Sequence, residues 1–286
     1  MLRADDVAHC RSILRRHGVS YAFATRWFPP HIRDATAVLY AFFRVPDDYV
    51  DAVGMSDEIR QTMLLEWCAQ WKRAQTEGSD HPVLRAACAI FLQYRIPYHF
   101  GDDFLAAMIQ DVTVTHYATY ADLERYMYGS AAVVGIMMSS VIGYRDAQTL
   151  EKAKALGEAM QLTNFLRDIR EDYDGRGRIY LPQEDLERFG VTESDIRHHR
   201  CSPEFIALMR FEILRARNLY AAAESGIDEL AAEGRFPVRL ASRLYGAILG
   251  KIEDAGYNVF RGRVRTSRWE KILIAFALWK ISRNTQ

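Results

Sequence analysis

The sequence predicts an all-α fold, and three observations indicate it. No proline lies between Pro97 and Pro182, so a long stretch is free of the residue that most often breaks helices. Apolar residues recur at the spacing of an amphipathic helix, as in Leu150 to Leu166. No segment alternates apolar and polar residues for long enough to require a sheet. We therefore expect a single helical domain over residues 1–286.

Glycine and proline indicate where the helices begin and end. Ser202-Pro203 is typical of a helix start, because serine caps the first turn and proline fits it. Phe189-Gly190 should close a short helix that begins near Pro182. Further breaks are expected at Pro29-Pro30, Gly54, Gly78 to Pro82, Gly101 and Asp174 to Gly177.

Composition excludes several classes of function. The 37 basic and 37 acidic side chains cancel, so the chain lacks the basic surplus that nucleic-acid binding needs. The four cysteines, Cys10, Cys68, Cys88 and Cys201, lie far apart without a CxxC pair, which favours reduced thiols in the cytoplasm. No apolar stretch approaches the roughly 20 residues that span a bilayer. We expect a cytoplasmic protein that at most contacts a membrane surface.

Aspartates cluster in a first motif, Arg44-Val-Pro-Asp47-Asp48-Tyr-Val-Asp51. At about 100° per residue, Asp47 and Asp51 lie about 40° apart on a helix, with Arg44 and Asp48 on the same flank. Pro46 removes a helical hydrogen bond, so it should either kink the preceding turn and aim the carboxylates or mark an irregular helix start.

A second motif carries an amide and carboxylate stripe. On a helical wheel Gln161, Asn164, Asp168 and Asp172 fall within an arc of about 80°. The neighbouring arc is apolar, and Arg167 points elsewhere. The acids of this motif are therefore expected to face a cavity rather than open solvent.

Two acidic helix faces beside an apolar wall indicate a cation site. Like charges one helical turn apart destabilise a helix by tenths of a kcal/mol. Oxygen donors without nearby His or Cys select Mg²⁺ or Mn²⁺ over zinc, and Mg²⁺ binds through one or two carboxylates plus substrate phosphates. The motifs thus predict Mg²⁺ ions that clamp a diphosphate. A single DxxxD is most often a solvated helix face, and the paired, aligned motifs favour the metal. EF-hand spacing and the Glu-x-x-His pairs of di-iron bundles are missing.

The motifs, and the order in which they follow one another along the chain, resemble those of the squalene/phytoene synthase family, the head-to-head prenyltransferases. Arg44 to Asp51 looks like the family's first aspartate-rich motif. Gln161 to Asp172, followed by Gly177 to Pro182, looks like the second motif and its tail. Tyr126 to Gly135 is similar to the small-residue helix beside the hydrocarbon pocket, and Ala241 to Tyr245 to the helix that contributes a tyrosine. The resemblance runs nearly end to end and is strongest to bacterial phytoene synthases.

The resemblance implies an isoprenoid-synthase-type helical bundle around a central cavity, with Mg²⁺ as the cofactor and Mn²⁺ as a substitute. It implies metal ligands at Asp47, Asp51, Asn164, Asp168 and Asp172, with Asp48 as an auxiliary acid. It assigns catalytic roles to the four aspartates Asp47, Asp51, Asp168 and Asp172 and to Tyr126 and Tyr245. It implies substrate contacts at His17, Ser20, Tyr21, Tyr40, Arg44, Gln161, Arg167 and Tyr180, with residues 17–21 as a flap over one diphosphate.

The resemblance implies that two prenyl diphosphates are joined 1-1′ through a cyclopropyl diphosphate. We favour two geranylgeranyl diphosphates and phytoene, whose formation by proton loss needs no NADPH. Squalene, dehydrosqualene and hydroxysqualene synthases, which use farnesyl diphosphate, remain alternatives. So do a class I terpene cyclase and a non-catalytic relative. Prenyl chain length should depend on side-chain size around Ala131, Ala132, Val133, Gly135 and Met138.

The C-terminal segment is basic and apolar. Residues 251–286 carry eight Lys or Arg against three acids, beside Phe276, Leu278 and Trp279. Because the substrates are lipids, one hypothesis is peripheral binding to anionic lipid. The alternative is an ordinary solvated helix. The sequence does not determine the oligomeric state.

Overall fold

A computed structural model describes residues 2–52 and 54–284, without the side chains of residues 19, 20 and 282–284. Helices form the regular structure of these residues, and β-pairing is limited to the isolated bridges His116–Ile179 and Tyr144–Leu230. The prediction of an all-α fold is therefore confirmed. None of the described helices is both long enough and apolar enough to cross a bilayer.

The helices, numbered in chain order, include one π-helical turn between the seventh and eighth. They are α1 Ala4–His17, α2 Val19–Thr25, α3 Pro30–Val50, α4 Asp57–Glu77, α5 Pro82–Gln93, α6 Tyr98–Thr113, α7 Tyr120–Met127, the π-helical turn Tyr128–Ala132, α8 Val133–Ile142, α9 Ala147–Arg176, α10 Gln183–Phe189, α11 Glu193–Arg197, α12 Pro203–Ile227, α13 Ala232–Asp254 and α14 Arg268–Asn284.

Several helix ends lie where the sequence predicts them. The Ser202 side chain accepts a hydrogen bond from the Phe205 N–H and caps α12. Gly190 closes α10 in the left-handed conformation, with φ of 71°, and Gly177 does the same for α9 at 63°. A residue without Cβ adopts these angles at no steric cost, which explains glycine at both positions.

One expectation about helix ends is wrong, and the structure excludes one of the two alternatives for Pro46. Gly101 does not break a helix but lies inside α6, where an added Cβ would be 2.9 Å from Cζ2 of Trp71. It is glycine because the indole packs against the backbone. Pro46 does not mark a helix start, since α3 begins at Pro30 and continues past Pro46 to Val50. It therefore lies in the last turns of α3, immediately before the first aspartates.

The longest helix, α9, lies at the centre of the bundle. It packs against α7, α8, the π-helical turn, α11, α12 and α13. The main hydrophobic core extends from this helix to α3–α6, where Phe42, Trp71 and Phe91 pack ring against ring. A second, smaller core joins α2, α13 and α14. Between these packed layers the two motif helices, α3 and α9, border an open cavity.

Candidate active site

The motif helices α3 and α9 face one another across a cavity of about 900 Å³, which we call the polar chamber. Asp47 and Asp51 project from α3, while Asp168 and Asp172 project from α9. The chamber is also lined by His17, Tyr21, Tyr40, Arg44, Asp111, Tyr126, Gln161, Asn164, Arg167, Arg176, Arg178, Tyr180, Tyr245, Arg263 and Lys271. The fold thus brings the two acidic motifs to one site, although 117 positions separate Asp51 from Asp168.

Arginines hold the aspartates of the first motif. Arg44 Nη1 donates to Asp47 at 2.7 Å, and its Nη2 lies 2.5 Å from Asp48. Arg176, at the end of α9, pairs with Asp51 at the end of α3. This last pair links the two motif helices directly. Asp48 faces Arg44 and does not line the chamber.

The second motif is held by arginines from two parts of the chain. Arg167 Nε donates to Asp168 at 2.7 Å, and Arg263 Nε donates to the same oxygen at 2.8 Å. The helical wheel placed Arg167 away from the acidic stripe, yet its side chain is 15% exposed and lines the chamber. The long, flexible side chain of Arg167 turns its guanidinium back toward Asp168. A helical wheel shows only where each side chain leaves the helix and does not capture this turn.

Burial and repulsion raise the pKa of two chamber acids. Burial and the charge of Asp51 raise the pKa of Asp47 to about 7. Burial and the charge of Asp168 raise the pKa of Asp172 to about 8. The ionised carboxylates therefore lack sufficient compensating charge within the protein. A divalent cation would supply it.

A buried network at the chamber wall was not anticipated from the sequence. Arg178 Nη1 donates to Asp111 Oδ2 at 3.0 Å, and the Tyr180 hydroxyl donates to Asp111 Oδ1 at 2.9 Å. The Tyr180 ring stacks on Phe165 with centroids 4.0 Å apart and lies near parallel to Tyr126. Asp111 lies on the buried face of α6 with Ala107, Met108 and Val112, and an acid at helical spacing from apolar residues is the sequence signal that could have found it.

A second, narrower cavity, the apolar pocket, opens from the polar chamber. Tyr21, Ser130, Val134, Gln161, Asn164 and Tyr245 line both, so the two are continuous. Beyond this junction the walls are mainly small and apolar: Ala24, Ala131, Gly135, Met138, Ile142, Ala153, Leu156, Gly157, Met160, Ala223, Gly226, Leu230, Val238 and Ala241. The Ser130 hydroxyl at the junction is buried without a hydrogen-bond partner in the described part of the chain.

Close contacts between backbones form one wall of the pocket. A Cβ added to Gly135 would be 2.3 Å from the Ala153 carbonyl oxygen. One added to Gly157 would be 2.4 Å from the Ala131 carbonyl oxygen. These two glycines let α8 and the π-helical turn pack directly on α9. Of the residues expected to set prenyl chain length, Ala131, Gly135 and Met138 line the pocket, whereas Ala132 and Val133 do not.

The far end of the apolar pocket contains a lysine. From Asn164 to Thr149 the pocket follows α9 for roughly 22 Å at the rise of an α-helix. Near that end lies Lys152, whose Nζ is 2.6 Å from Glu229 Oε1. The lysine stem packs against Gly226, where a Cβ would be 2.5 Å from Lys152 Cβ. The ion pair and the stem together narrow the end of the pocket.

Most of the predicted substrate residues also meet at this site. His17, Tyr21, Tyr40, Tyr126, Tyr180 and Tyr245 line the chamber, and the rings of Tyr21 and Tyr40 stack 5.6 Å apart. Residues 17–21 form the junction of α1 and α2. The side chain of Ser20 lies outside the described part of the structure. The individual roles of these residues remain predictions.

The donor chemistry of the chamber fits Mg²⁺ together with a diphosphate. Carboxylate and amide oxygens face each other from α3 and α9, and Mg²⁺ prefers such ligands. Within the described residues no three His, Cys, Asp or Glu side chains converge tightly enough to hold a metal, so substrate and water oxygens would complete the coordination. Arg44 and Arg176 each keep a buried guanidinium nitrogen without a partner in the same set of residues. Phosphate oxygens would satisfy both.

Comparison with known proteins defines the class. Residues 14–270 match the family model described as squalene/phytoene synthase, and the chain belongs to that family. It is 34% identical to the phytoene synthase of Arthrospira platensis over 95% of this chain and 91% of the relative. It is 32% identical to the phytoene synthase of Thermus thermophilus over 92% of this chain and 88% of the relative.

Solved structures agree with this assignment. A dehydrosqualene synthase in complex with ligand superposes with a TM-score of 0.91 at 28% identity, over 98% of this chain and 97% of that one. The squalene synthase HpnC from Alicyclobacillus acidocaldarius gives a TM-score of 0.81 at 28% identity, over 89% of this chain and 95% of that one. The predicted isoprenoid-synthase-type fold is confirmed. The protein is a prenyltransferase of the phytoene/squalene synthase type, which argues against a class I terpene cyclase and a non-catalytic relative.

Proposed function

We propose that the protein condenses two molecules of geranylgeranyl diphosphate head to head and forms phytoene. The observation that best supports this function is that two pairs of aspartates face each other where the polar chamber opens into a long apolar pocket. The chamber suits diphosphates and the pocket suits a hydrocarbon chain. A length of roughly 22 Å along α9 is comparable with an extended geranylgeranyl chain and exceeds a farnesyl chain. Relatives named phytoene synthase, at 31–34% identity, support the same product.

Asp47, Asp51, Asn164, Asp168 and Asp172 would hold Mg²⁺. When bound, Mg²⁺ neutralises the diphosphate and makes it a better leaving group. The donor set is oxygen only, which Mn²⁺ also satisfies. The acids would contact the diphosphate only through such a metal, since both the carboxylates and the diphosphate are negatively charged.

Arginines stabilise the charge that develops as diphosphate leaves. Arg44 and Arg176 on one side, and Arg167 and Arg263 on the other, already face the chamber. On substrate binding they are expected to move from carboxylate to phosphate oxygens, because guanidinium forks match both. Preorganised cations at the leaving group lower the barrier to forming an allylic carbocation.

The walls around the reacting carbon protect that carbocation. The aromatic rings of Tyr21, Tyr40, Tyr126 and Tyr245 line the chamber next to the apolar pocket. Their electron-rich faces stabilise positive charge, and the apolar wall excludes water that would quench it. Attack by the double bond of the second substrate, followed by loss of a proton as the three-membered ring closes, gives the cyclopropyl diphosphate, which keeps the second diphosphate. A second ionisation opens the ring, and loss of a proton gives phytoene without a hydride donor, so NADPH is not required.

The function is tested by product analysis with defined substrates. Purified protein with Mg²⁺ is given farnesyl or geranylgeranyl diphosphate, with and without NADPH, and hydrocarbons are identified by mass spectrometry. We expect a C40 product from geranylgeranyl diphosphate that is independent of NADPH. Asp168→Ala should abolish it. Asp174→Ala should retain it, because Asp174 lies on the same helix but pairs with Arg170 and His199 outside the chamber.

The outcomes separate the alternatives. A C30 product from farnesyl diphosphate alone would keep the condensation and replace phytoene by squalene or dehydrosqualene, according to its need for NADPH. A cyclic product from one substrate molecule would contradict the condensation itself.

A further inference from the structure

Ser130 lies where the polar chamber narrows into the apolar pocket. Six residues line both cavities, and we call them the neck: Tyr21, Ser130, Val134, Gln161, Asn164 and Tyr245. Ser130 is the neck residue whose buried side-chain oxygen has no hydrogen-bond partner in the described part of the chain. A buried hydroxyl without a partner destabilises the folded protein, so such a group in a cavity wall indicates a contact that a ligand completes.

The backbone at Ser130 differs from an ordinary helix. Ser130 belongs to the π-helical turn Tyr128–Ala132, and turns of this kind occur frequently at functional sites. A serine inside a helix can donate to the carbonyl four residues earlier, as Ser140 Oγ does to Ile136 at 3.0 Å. The Ser130 hydroxyl makes no such bond within the described residues. Its hydrogen is therefore available to a bound molecule.

Packing on two sides fixes the position of Ser130. A Cβ added to Gly129 would be 2.7 Å from the Asp103 carbonyl oxygen of α6. On the other side, the Ala131 carbonyl lies against Gly157 of α9. The turn is thus wedged between α6 and α9, and a displacement of Ser130 would have to move one of these helices. Because the hydroxyl is held in place by this packing, little ordering is needed when a substrate binds.

The place of the neck indicates which substrate atom Ser130 would meet. If the diphosphate binds in the chamber and the chain in the pocket, as the proposed function requires, the ester oxygen between C1 and phosphorus lies at the neck. Arg44, Arg167 and Arg263 line the chamber but not the pocket, so they face the outer phosphate oxygens. Ser130 lines both cavities and is therefore the better placed donor for the ester oxygen.

We propose that Ser130 is a catalytic residue that donates a hydrogen bond to the ester oxygen of a prenyl diphosphate as it ionises. The bond between C1 and that oxygen breaks, and its electron pair stays on the oxygen, which leaves with the diphosphate. The Ser130 proton remains on the serine throughout. Since the oxygen becomes more negative as the bond breaks, the hydrogen bond is stronger in the transition state than in the bound substrate. It should therefore raise kcat with little effect on KM.

The test is the rate of diphosphate release in a single turnover, with Mg²⁺ and whichever prenyl diphosphate the parent chain condenses. Ser130→Ala should release diphosphate about tenfold more slowly, as expected when one hydrogen bond to a charged group is lost. Ser130→Cys, which has a side chain of similar size but is a weak donor, should be slowed similarly. The matched control is Ser140→Ala, which lines neither cavity and should react as the parent does.

A binding measurement identifies the oxygen that Ser130 contacts. In geranylgeranyl thiolodiphosphate a sulfur, which is a weak acceptor, replaces the ester oxygen. The Kd of this analogue should therefore agree within about twofold between Ser130→Ala and the parent. A hydroxyl that contacts an outer phosphate oxygen would instead lose its bond to the analogue in Ser130→Ala, and the Kd would rise about tenfold. That rise would overturn the proposal.

Three kinetic results would also overturn the proposal. One is release of diphosphate by Ser130→Ala at the parent rate. Another is release by Ser130→Cys at the parent rate, which would assign the effect to the size of the side chain. The third is an equal loss in Ser140→Ala, with both variants folded by circular dichroism. A parent chain that condenses no prenyl diphosphate would contradict the proposed function and the role of Ser130 with it, whereas a shorter substrate than proposed leaves this test unchanged.

Discussion

The polar chamber and the apolar pocket are parts of one cavity built by different means. Long charged side chains from α3, α9 and the segment before α14 converge on the chamber, and their arginines and aspartates pair with one another. The pocket has few long side chains, and glycines bring its helices together instead. The chamber is therefore sensitive to charge and the pocket to volume. This difference should separate the effects of substitutions at the two ends.

The largest effect should follow removal of one chamber charge. Asp47→Asn keeps the size of the side chain but removes a proposed metal ligand, so kcat should fall about 10²–10³-fold. Asp34→Asn, on the same helix, breaks only a surface pair with Arg11 and should retain activity. Steady-state kinetics on both variants measures the contrast. Comparable kcat values for the two would show that the chamber acids do not act in the reaction.

The pocket wall should respond to a single methyl group. Gly135→Ala places a Cβ against the Ala153 carbonyl and should cost about 1–3 kcal/mol of unfolding free energy. Gly246→Ala, inside α13 with open space around it, should instead stabilise the protein by up to about 1 kcal/mol. Thermal or denaturant unfolding measures both. If Gly135→Ala were as stable as Gly246→Ala, close backbone packing would not form this wall.

The end of the pocket should set a limit on chain length. Lys152→Ala removes the stem that narrows it, while Glu229 keeps its pair with Arg145 at 2.5 Å. The ratio of kcat/KM for a C25 over a C20 prenyl diphosphate should rise about tenfold, as for other changes of pocket size. Lys154→Ala, on the same helix but paired with Glu151, is the control. An unchanged ratio in Lys152→Ala would place the limit elsewhere.

The last prediction concerns the pH dependence of the metal-free protein. The pKa of Asp172 is about 8 in the folded chain and about 4 when unfolded, so the folded state binds its proton more tightly. The stability this proton contributes is fully present below pH 4 and is lost as pH rises through 8. Tm should therefore fall between about pH 4 and pH 8, and fall less in Asp172→Asn. Identical pH profiles for the two proteins would contradict the assignment.

Much of the fold and of the acidic site could be predicted from the sequence, because the residues that determine them lie close together along the chain. The caps at Ser202 and Gly190 and the aspartates of α3 and α9 are recognised within one or two helical turns of sequence. Gly101 was misread because its role depends on Trp71, thirty positions earlier. A glycine can either end a helix or allow another residue to pack against the helix backbone. Only the residue that packs against it in the folded protein distinguishes the two roles.

The parts of the site that sequence did not reveal come from distant segments. Asp111 reaches the chamber wall from α6, and Arg263 reaches Asp168 from the segment before α14. Lys152 meets Glu229 across the end of the pocket. None belongs to a motif, because each acts through a partner at least 67 positions away. Residues of the pocket wall were equally hidden, since alanine and glycine carry no chemical signature.

The central claim is that one cavity holds a diphosphate at its charged end and a prenyl chain at its apolar end. A crystal structure with Mg²⁺ and geranylgeranyl thiolodiphosphate tests this claim most directly. This substrate analogue does not ionise readily and should therefore stay intact in the crystal. We predict the diphosphate between Asp47 and Asp51 on α3 and Asp168 and Asp172 on α9, with the chain running along α9 toward Thr149. A diphosphate bound outside the chamber, or a chain that leaves the apolar pocket empty, would contradict the claim.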